Sequence, residues 1–176
     1  MKNIIIIGYR CTGKSSVGKK LAEILHRPFI DTDELIIKKT GRSILETIET
    51  DGWTYFRRIE CEVVQELAAV TGSIIATGGG VLDDHGNRDI LKTCGLCLWL
   101  TADAATIVTR LLCDGESTHS RPALSMHDIT TETRAMLLKR EPAYRAVADY
   151  VIDTQHRNID ETVENIRTIL QANEVL

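Results

Sequence analysis

Residues 2–15 read Lys2-Asn3-Ile4-Ile5-Ile6-Ile7-Gly8-Tyr9-Arg10-Cys11-Thr12-Gly13-Lys14-Ser15. Four consecutive isoleucines ending at a glycine are the pattern of a buried strand. From Gly8 to Ser15 the chain fits G-x-x-x-x-G-K-[ST], and Val17, Leu21, Ile24 and Leu25 then recur at helical spacing. Strand, glycine-bounded turn and helix is the context in which that motif cradles phosphate. The backbone N–H groups of the turn and the free first-turn amides of the helix face one concavity, and the helix dipole makes it positive. Lys14 is placed to neutralise the β- and γ-phosphates, and the Ser15 hydroxyl to ligate Mg²⁺. The motif specifies ATP or GTP and leaves the phosphoryl acceptor open.

Outward from this unit, short apolar runs alternate with amphipathic stretches. Strands are expected at 28–31, 73–77, 96–100 and 150–152. Helices are expected from 34 to 70, broken near Gly41-Arg42-Ser43 and Asp51-Gly52, and at 83–92, 103–112, 126–146 and 159–172. Strands separated by helices imply right-handed crossovers and a parallel sheet covered on both faces. No repeat or Pro-rich linker divides the 176 residues, which read as one domain. Asp114 to Arg121, DGESTHSR, holds no apolar residue and reads as either an active-site cover or a solvated loop.

The chain is 43% hydrophobic and 26% charged with a net charge of -4, a globular composition without the overall basic field of a nucleic-acid binder. The four isoleucines are too short a run for a signal-peptide core or a membrane span, so a cytoplasmic protein with no membrane partner is expected. The five cysteines are an odd number without framework spacing and are expected as free thiols. Cys94 and Cys97 form C-x-x-C, but no second pair completes a zinc site.

Candidate acceptor residues lie downstream. Phe29-Ile30-Asp31-Thr32-Asp33 ends the second strand, and alternation along a strand would put Asp31 and Asp33 on one side, facing the same crevice as the loop. One carboxylate would then serve Mg²⁺ and the other the acceptor hydroxyl. Asp33 could instead be only the N-cap of the following helix. After the third strand, where many nucleotide hydrolases carry an acid, stand Gly78, Gly79 and Gly80, which let a ligand approach bare backbone. Arg57, Arg58, Arg121 and Arg140 are the arginines available for anionic groups.

In order, GYRCTGKSSVGKKLAE, FIDTDELI, WTYFRRIE, ATGGG, RPAL and KREPAYRAVAD resemble the shikimate kinases, over about residues 3–170. The resemblance implies a nucleoside-monophosphate-kinase-like α/β fold: a five-stranded parallel sheet of order 2-3-1-4-5, with a substrate-binding segment at about 33–60 and a lid at about 112–124. It implies ATP-dependent phosphorylation of the 3-hydroxyl of shikimate with Mg²⁺, by a monomer acting without nucleic acid. It gives Gly8, Cys11, Thr12, Gly13, Lys14, Ser15 and Ser16 to the ATP phosphates, and Arg110 and Arg157 to the adenine. Ser15 and Asp31 fall to the metal. Asp33 falls to the reacting hydroxyl, Arg57 and Arg140 to the shikimate carboxylate, and Gly78 to Gly80 to its pocket. Lys14, Asp33 and the lid residue Arg121 are the implied catalytic groups.

Two loop residues depart from the family pattern. Cys11 stands where many members have glycine, and Arg10 is a bulky residue for this loop. Other readings are a different small-molecule kinase, such as one resembling gluconate kinase, or a non-enzymatic nucleotide switch. The switch would normally need the missing acid after the third strand.

Overall fold

The computed structural model describes residues 1–113 and 126–173. Five strands form one sheet: β1 (Asn3–Ile7), β2 (Phe29–Asp31), β3 (Ile74–Ala76), β4 (Gly95–Thr101) and β5 (Tyr150–Asp153). All neighbours are parallel, and the order is β2-β3-β1-β4-β5. Ile5 of β1 sits opposite Ile75 on one side and Cys97 on the other. The order and direction are those expected, and the expected strands lie within two residues of the observed ones.

β1 is central because its side chains are apolar on both faces. Ile4 and Ile6 pack with Val17, Leu21, Val163 and Ile166 on one face. Ile5 and Ile7 pack with Val64, Leu91, Trp99 and Tyr144 on the other. The first face is covered by α1 (Lys14–Leu25) and α7 (Ile159–Ala172). The second is covered by α3 (Ile44–Glu66), α4 (His85–Cys94) and α6 (Met126–Val147). Period-2 alternation of fully buried isoleucines therefore fixes which helices lie on which face.

α2 (Thr32–Thr40) packs against α3 around a smaller core of Ile36, Phe56, Ile59 and Val63. Gly41 and Gly52, both at positive φ, mark the breaks expected at those positions. α2 begins at Thr32, two residues before the expected start. Its N-cap is Asp31, whose side chain accepts from the Asp33 N–H. α5 (Ala104–Cys113) follows β4. Most of the expected lid, from residue 114, lies outside the described residues.

Candidate active site

Three connected cavities line the carboxyl edge of the sheet, where open parallel α/β sheets bind their ligands. The middle one, about 290 Å³, is the phosphate loop with Lys14, Ser15, Asp33 and Thr77. The N-cap of α1 is Gly13, which brings no side-chain cap, so the first amides of the helix are left for an anion. Gly8 lines none of the three but makes the loop possible. Its φ is 145°, and a Cβ there would sit 2.5 Å from the Leu100 carbonyl oxygen. Cys11 takes the left-handed conformation, φ 58°, which accounts for glycine as an alternative at this position.

Lys14 is buried and its Nζ donates to the Tyr9 carbonyl at 2.8 Å. Burial lowers its pKa to about 8, against the pull of Asp33 and Asp31, which favour its charge. Ser15 Oγ donates to Asp31 Oδ2 at 2.6 Å, and Asp31 Oδ1 accepts the Asp33 amide at 2.9 Å. Asp31 thus holds the Ser15 hydroxyl and the start of α2 together. Strand alternation does not relate the two carboxylates. β2 ends at Asp31, and Asp33 reaches the cradle from the first turn of a helix. Desolvation, then the Asp31 charge, raises the Asp33 pKa to about 6, although Lys14 and Arg57 oppose the rise.

On the acceptor side a cavity of about 410 Å³ is lined by Asp33, Arg57, Gly78, Gly79, Gly80 and Arg140, with Trp53 and Phe56 among its apolar walls. This gathers into one space the residues that the resemblance gives to shikimate, while Arg58 stays outside it, paired with Glu62. Gly78 N–H donates to Thr32 Oγ1 at 2.9 Å, and the Tyr144 hydroxyl donates to the Gly79 carbonyl at 2.5 Å, so the glycine turn is tied to α2 and α6. A Cβ on Gly80 would stand 2.5 Å from the Arg57 guanidinium and 2.9 Å from that of Arg140. The two arginines approach bare backbone.

The sequence reading missed the carboxylates that hold those arginines. Asp83 accepts from Arg140 Nε at 3.0 Å and Nη2 at 2.6 Å, and lies 3.5 Å from Arg57 Nη2. Glu60 accepts from Arg57 Nη1 at 2.6 Å; it is nearly inaccessible, and burial raises its pKa. The i,i+3 spacing of Arg57 and Glu60 on a helix was the available signal for that pair. Asp83, 57 residues from Arg140, left none.

On the opposite side, a cavity of about 510 Å³ is lined by Thr12, Gly13, Ser16, Arg110, Thr154 and Arg157, among others. Arg110 donates to Thr154 Oγ1 at 3.0 Å and to the Thr154 carbonyl at 2.5 Å, and Arg157 to the Asp153 carbonyl at 3.0 Å. Both arginines are thereby tied to the end of β5. Thr154 was not anticipated. Arg121 lies outside the described residues.

Cys94 and Cys97 end a helix and enter a strand as free thiols, and burial pushes Cys97 up to about 12. Among the described residues no cluster of three or more His, Cys, Asp or Glu is arranged to hold a metal alone, and no helix is long and apolar enough to cross a membrane.

The shikimate kinase family model matches residues 10–171. A shikimate kinase of Syntrophus aciditrophicus is 42% identical, over 97% of this chain and 92% of the relative. One of Caldanaerobacter subterraneus is 39% identical, over 94% of each. Among solved structures, the shikimate kinase of Acinetobacter baumannii in complex with shikimate superimposes with a TM-score of 0.90 at 32% identity. It covers all of this chain, and 96% of that chain is matched. A phosphate loop, an arginine-lined cavity across Asp33 from it, the 2-3-1-4-5 sheet and full-length similarity converge on one conclusion: this chain belongs to the shikimate kinase family.

Proposed function

We propose that this protein transfers the γ-phosphoryl group of ATP to the 3-hydroxyl of shikimate, releasing ADP and shikimate 3-phosphate within aromatic amino-acid biosynthesis. The observation that carries the reading is the acceptor cavity. It combines two arginines suited to a carboxylate with a buried carboxylate, Asp33, at the edge of the phosphate cradle. A gluconate-type acceptor would also want arginines, but the family match favours shikimate.

The assigned steps follow from position. ATP lies across the nucleotide cavity and the loop, with Arg110 and Arg157 beside the adenine. The loop amides from Cys11 to Ser16 hold the phosphates, and Lys14 neutralises the oxygens that gain charge. Ser15 and Asp31 supply hard oxygen donors side by side. With phosphate oxygens and water they fit Mg²⁺, which rarely takes an all-protein cage. The ion would screen the phosphate charge. Arg57 and Arg140 grip the shikimate carboxylate, and Gly78 to Gly80 let its ring lie against backbone. Asp33 takes the hydroxyl proton as the acceptor oxygen bonds to the γ-phosphorus. The bond from that phosphorus to the β–γ bridging oxygen breaks, and ADP leaves with the electron pair. The segment 33–60 forms the acceptor wall, and Arg121, on the proposed lid, is assigned to the transferring group. The enzyme is read as a cytoplasmic monomer.

A coupled assay tests this. ADP release should depend on shikimate and on Mg²⁺, and shikimate 3-phosphate should appear in equal amount. Hydrolysis of ATP at one rate with and without shikimate would contradict it.

A further inference from the structure

Three residues line both the phosphate cradle and the acceptor cavity: Arg10, Asp33 and Gly79. They mark the passage that a phosphoryl group crosses from nucleotide to acceptor. Asp33 is the carboxylate at that passage. Gly79 is its bare-backbone wall, where a Cβ would lie 3.0 Å from the Arg10 amide nitrogen. Arg10 is its cation.

The other cations around it are committed. Arg140 is paired in two-point fashion with Asp83, Arg57 with Glu60 and Asp83, and Lys14 with the Tyr9 carbonyl. Arg10 has no such partner among the described residues. Its guanidinium lies 5.7 Å from the centre of the Tyr9 ring, and its Nε is buried without a hydrogen-bond acceptor. Arg140 holds the same ring at 5.8 Å. A buried guanidinium N–H with no acceptor costs free energy and is retained where a ligand supplies the acceptor. At a passage between two anion sites, that ligand is a phosphoryl oxygen.

We propose that Arg10 is a catalytic residue, which donates to the transferring phosphoryl group between the β–γ bridging oxygen and the acceptor hydroxyl. The proposal rests on the kinase reading above. The bonds made and broken are those of the transfer already described. Arg10 neither gains nor loses a proton, and its charge offsets the negative charge on the equatorial oxygens. A bulky arginine in a loop usually built of small residues is thereby explained.

The test compares wild type with Arg10→Met, which keeps an unbranched chain without charge, and Arg10→Lys. Arg10→Met should lower kcat about 10²-fold. KM for shikimate and the affinity for MgADP should each stay within about threefold, the pattern of an interaction made mainly in the transition state. Arg10→Lys should recover part of kcat. Binding of MgADP with fluoroaluminate, a mimic of the transferring group, should weaken in Arg10→Met by a factor similar to that in kcat. Unchanged kcat would overturn the assignment, as would a loss confined to shikimate KM or a fall in MgADP affinity as large as the fall in kcat. The fluoroaluminate measurement is made with and without shikimate, so it reads Arg10 whatever the acceptor. Failure of wild type to phosphorylate shikimate would count against the kinase reading alone.

Discussion

Asp33 and Lys14 are displaced toward each other in pKa, to about 6 and about 8, because both lose water, and the attraction between their opposite charges only partly offsets that loss. A base must be unprotonated and a phosphate-binding lysine charged. kcat/KM should therefore rise through about pH 6 and fall above about pH 8, as apparent values of the pair. Linkage adds a second consequence. The folded-state pKa of Asp33 lies above its ordinary 3.8, so the folded protein binds the extra proton between these values and stability falls as pH rises through that window. Neutral pH then carries a cost, which Asp33→Asn removes. That variant should lose turnover yet raise the Tm of the ligand-free protein at pH 7.5, by about 1–3 kcal/mol of stability. A Tm below that of wild type would show that Asp33 is not a strained, desolvated carboxylate. This residue stood out in the sequence from the pair Asp31 and Asp33 that closes the second strand. Its place in a helix did not. Asp31 caps α2 two residues earlier than the hydrophobic pattern suggests, and a cap is decided by one side-chain hydrogen bond that periodicity does not report.

Among elements, the turn Gly78-Gly79-Gly80 connects the end of β3 to the short 3-10 turn Val81–Asp83, which delivers Asp83 to the arginines. Gly80→Ala would place its methyl against both guanidinium groups. These are the ends of flexible side chains and can shift, so stability should change by less than about 1 kcal/mol. The arginines would lose their alignment, and KM for shikimate should rise at least about tenfold with KM for ATP little changed, since an anion grip depends on geometry. Gly8→Ala gives the contrasting case. Its methyl would meet the backbone oxygen of Leu100, at a φ that L residues rarely adopt, so the protein itself should be destabilised by about 2 kcal/mol or more. Equal effects of the two substitutions on Tm would contradict this division. The sequence shows both glycines as glycines. Which one faces a guanidinium and which a carbonyl depends on chain crossings that local sequence does not encode. For the same reason Asp83 went unseen, whereas the four consecutive isoleucines of β1 marked a buried strand directly.

Across the whole molecule, β1 and its loop divide the cavity proposed for the nucleotide from the one proposed for the acceptor. The nucleotide cavity is built from α1, α7 and the ends of α5 and β5. The acceptor cavity is built from α2, α3, the glycine turn and α6. Arg110 belongs to the first and Arg140 to the second, and neither lines the other's cavity. Ligands that bind only the folded state stabilise it by mass action, about 2.7 kcal/mol at 100 times Kd. For a chain of this size that corresponds to a Tm increase of about 5–10 °C. MgADP and shikimate should each raise the Tm. Arg110→Ala should lose most of the MgADP shift and keep that of shikimate. Arg140→Lys should do the reverse, because a point charge does not reproduce the two-point grip of a guanidinium. Thermal unfolding of the two variants with each ligand separately decides the matter: if both variants lost both shifts to the same extent, the two cavities would not be separate binding sites.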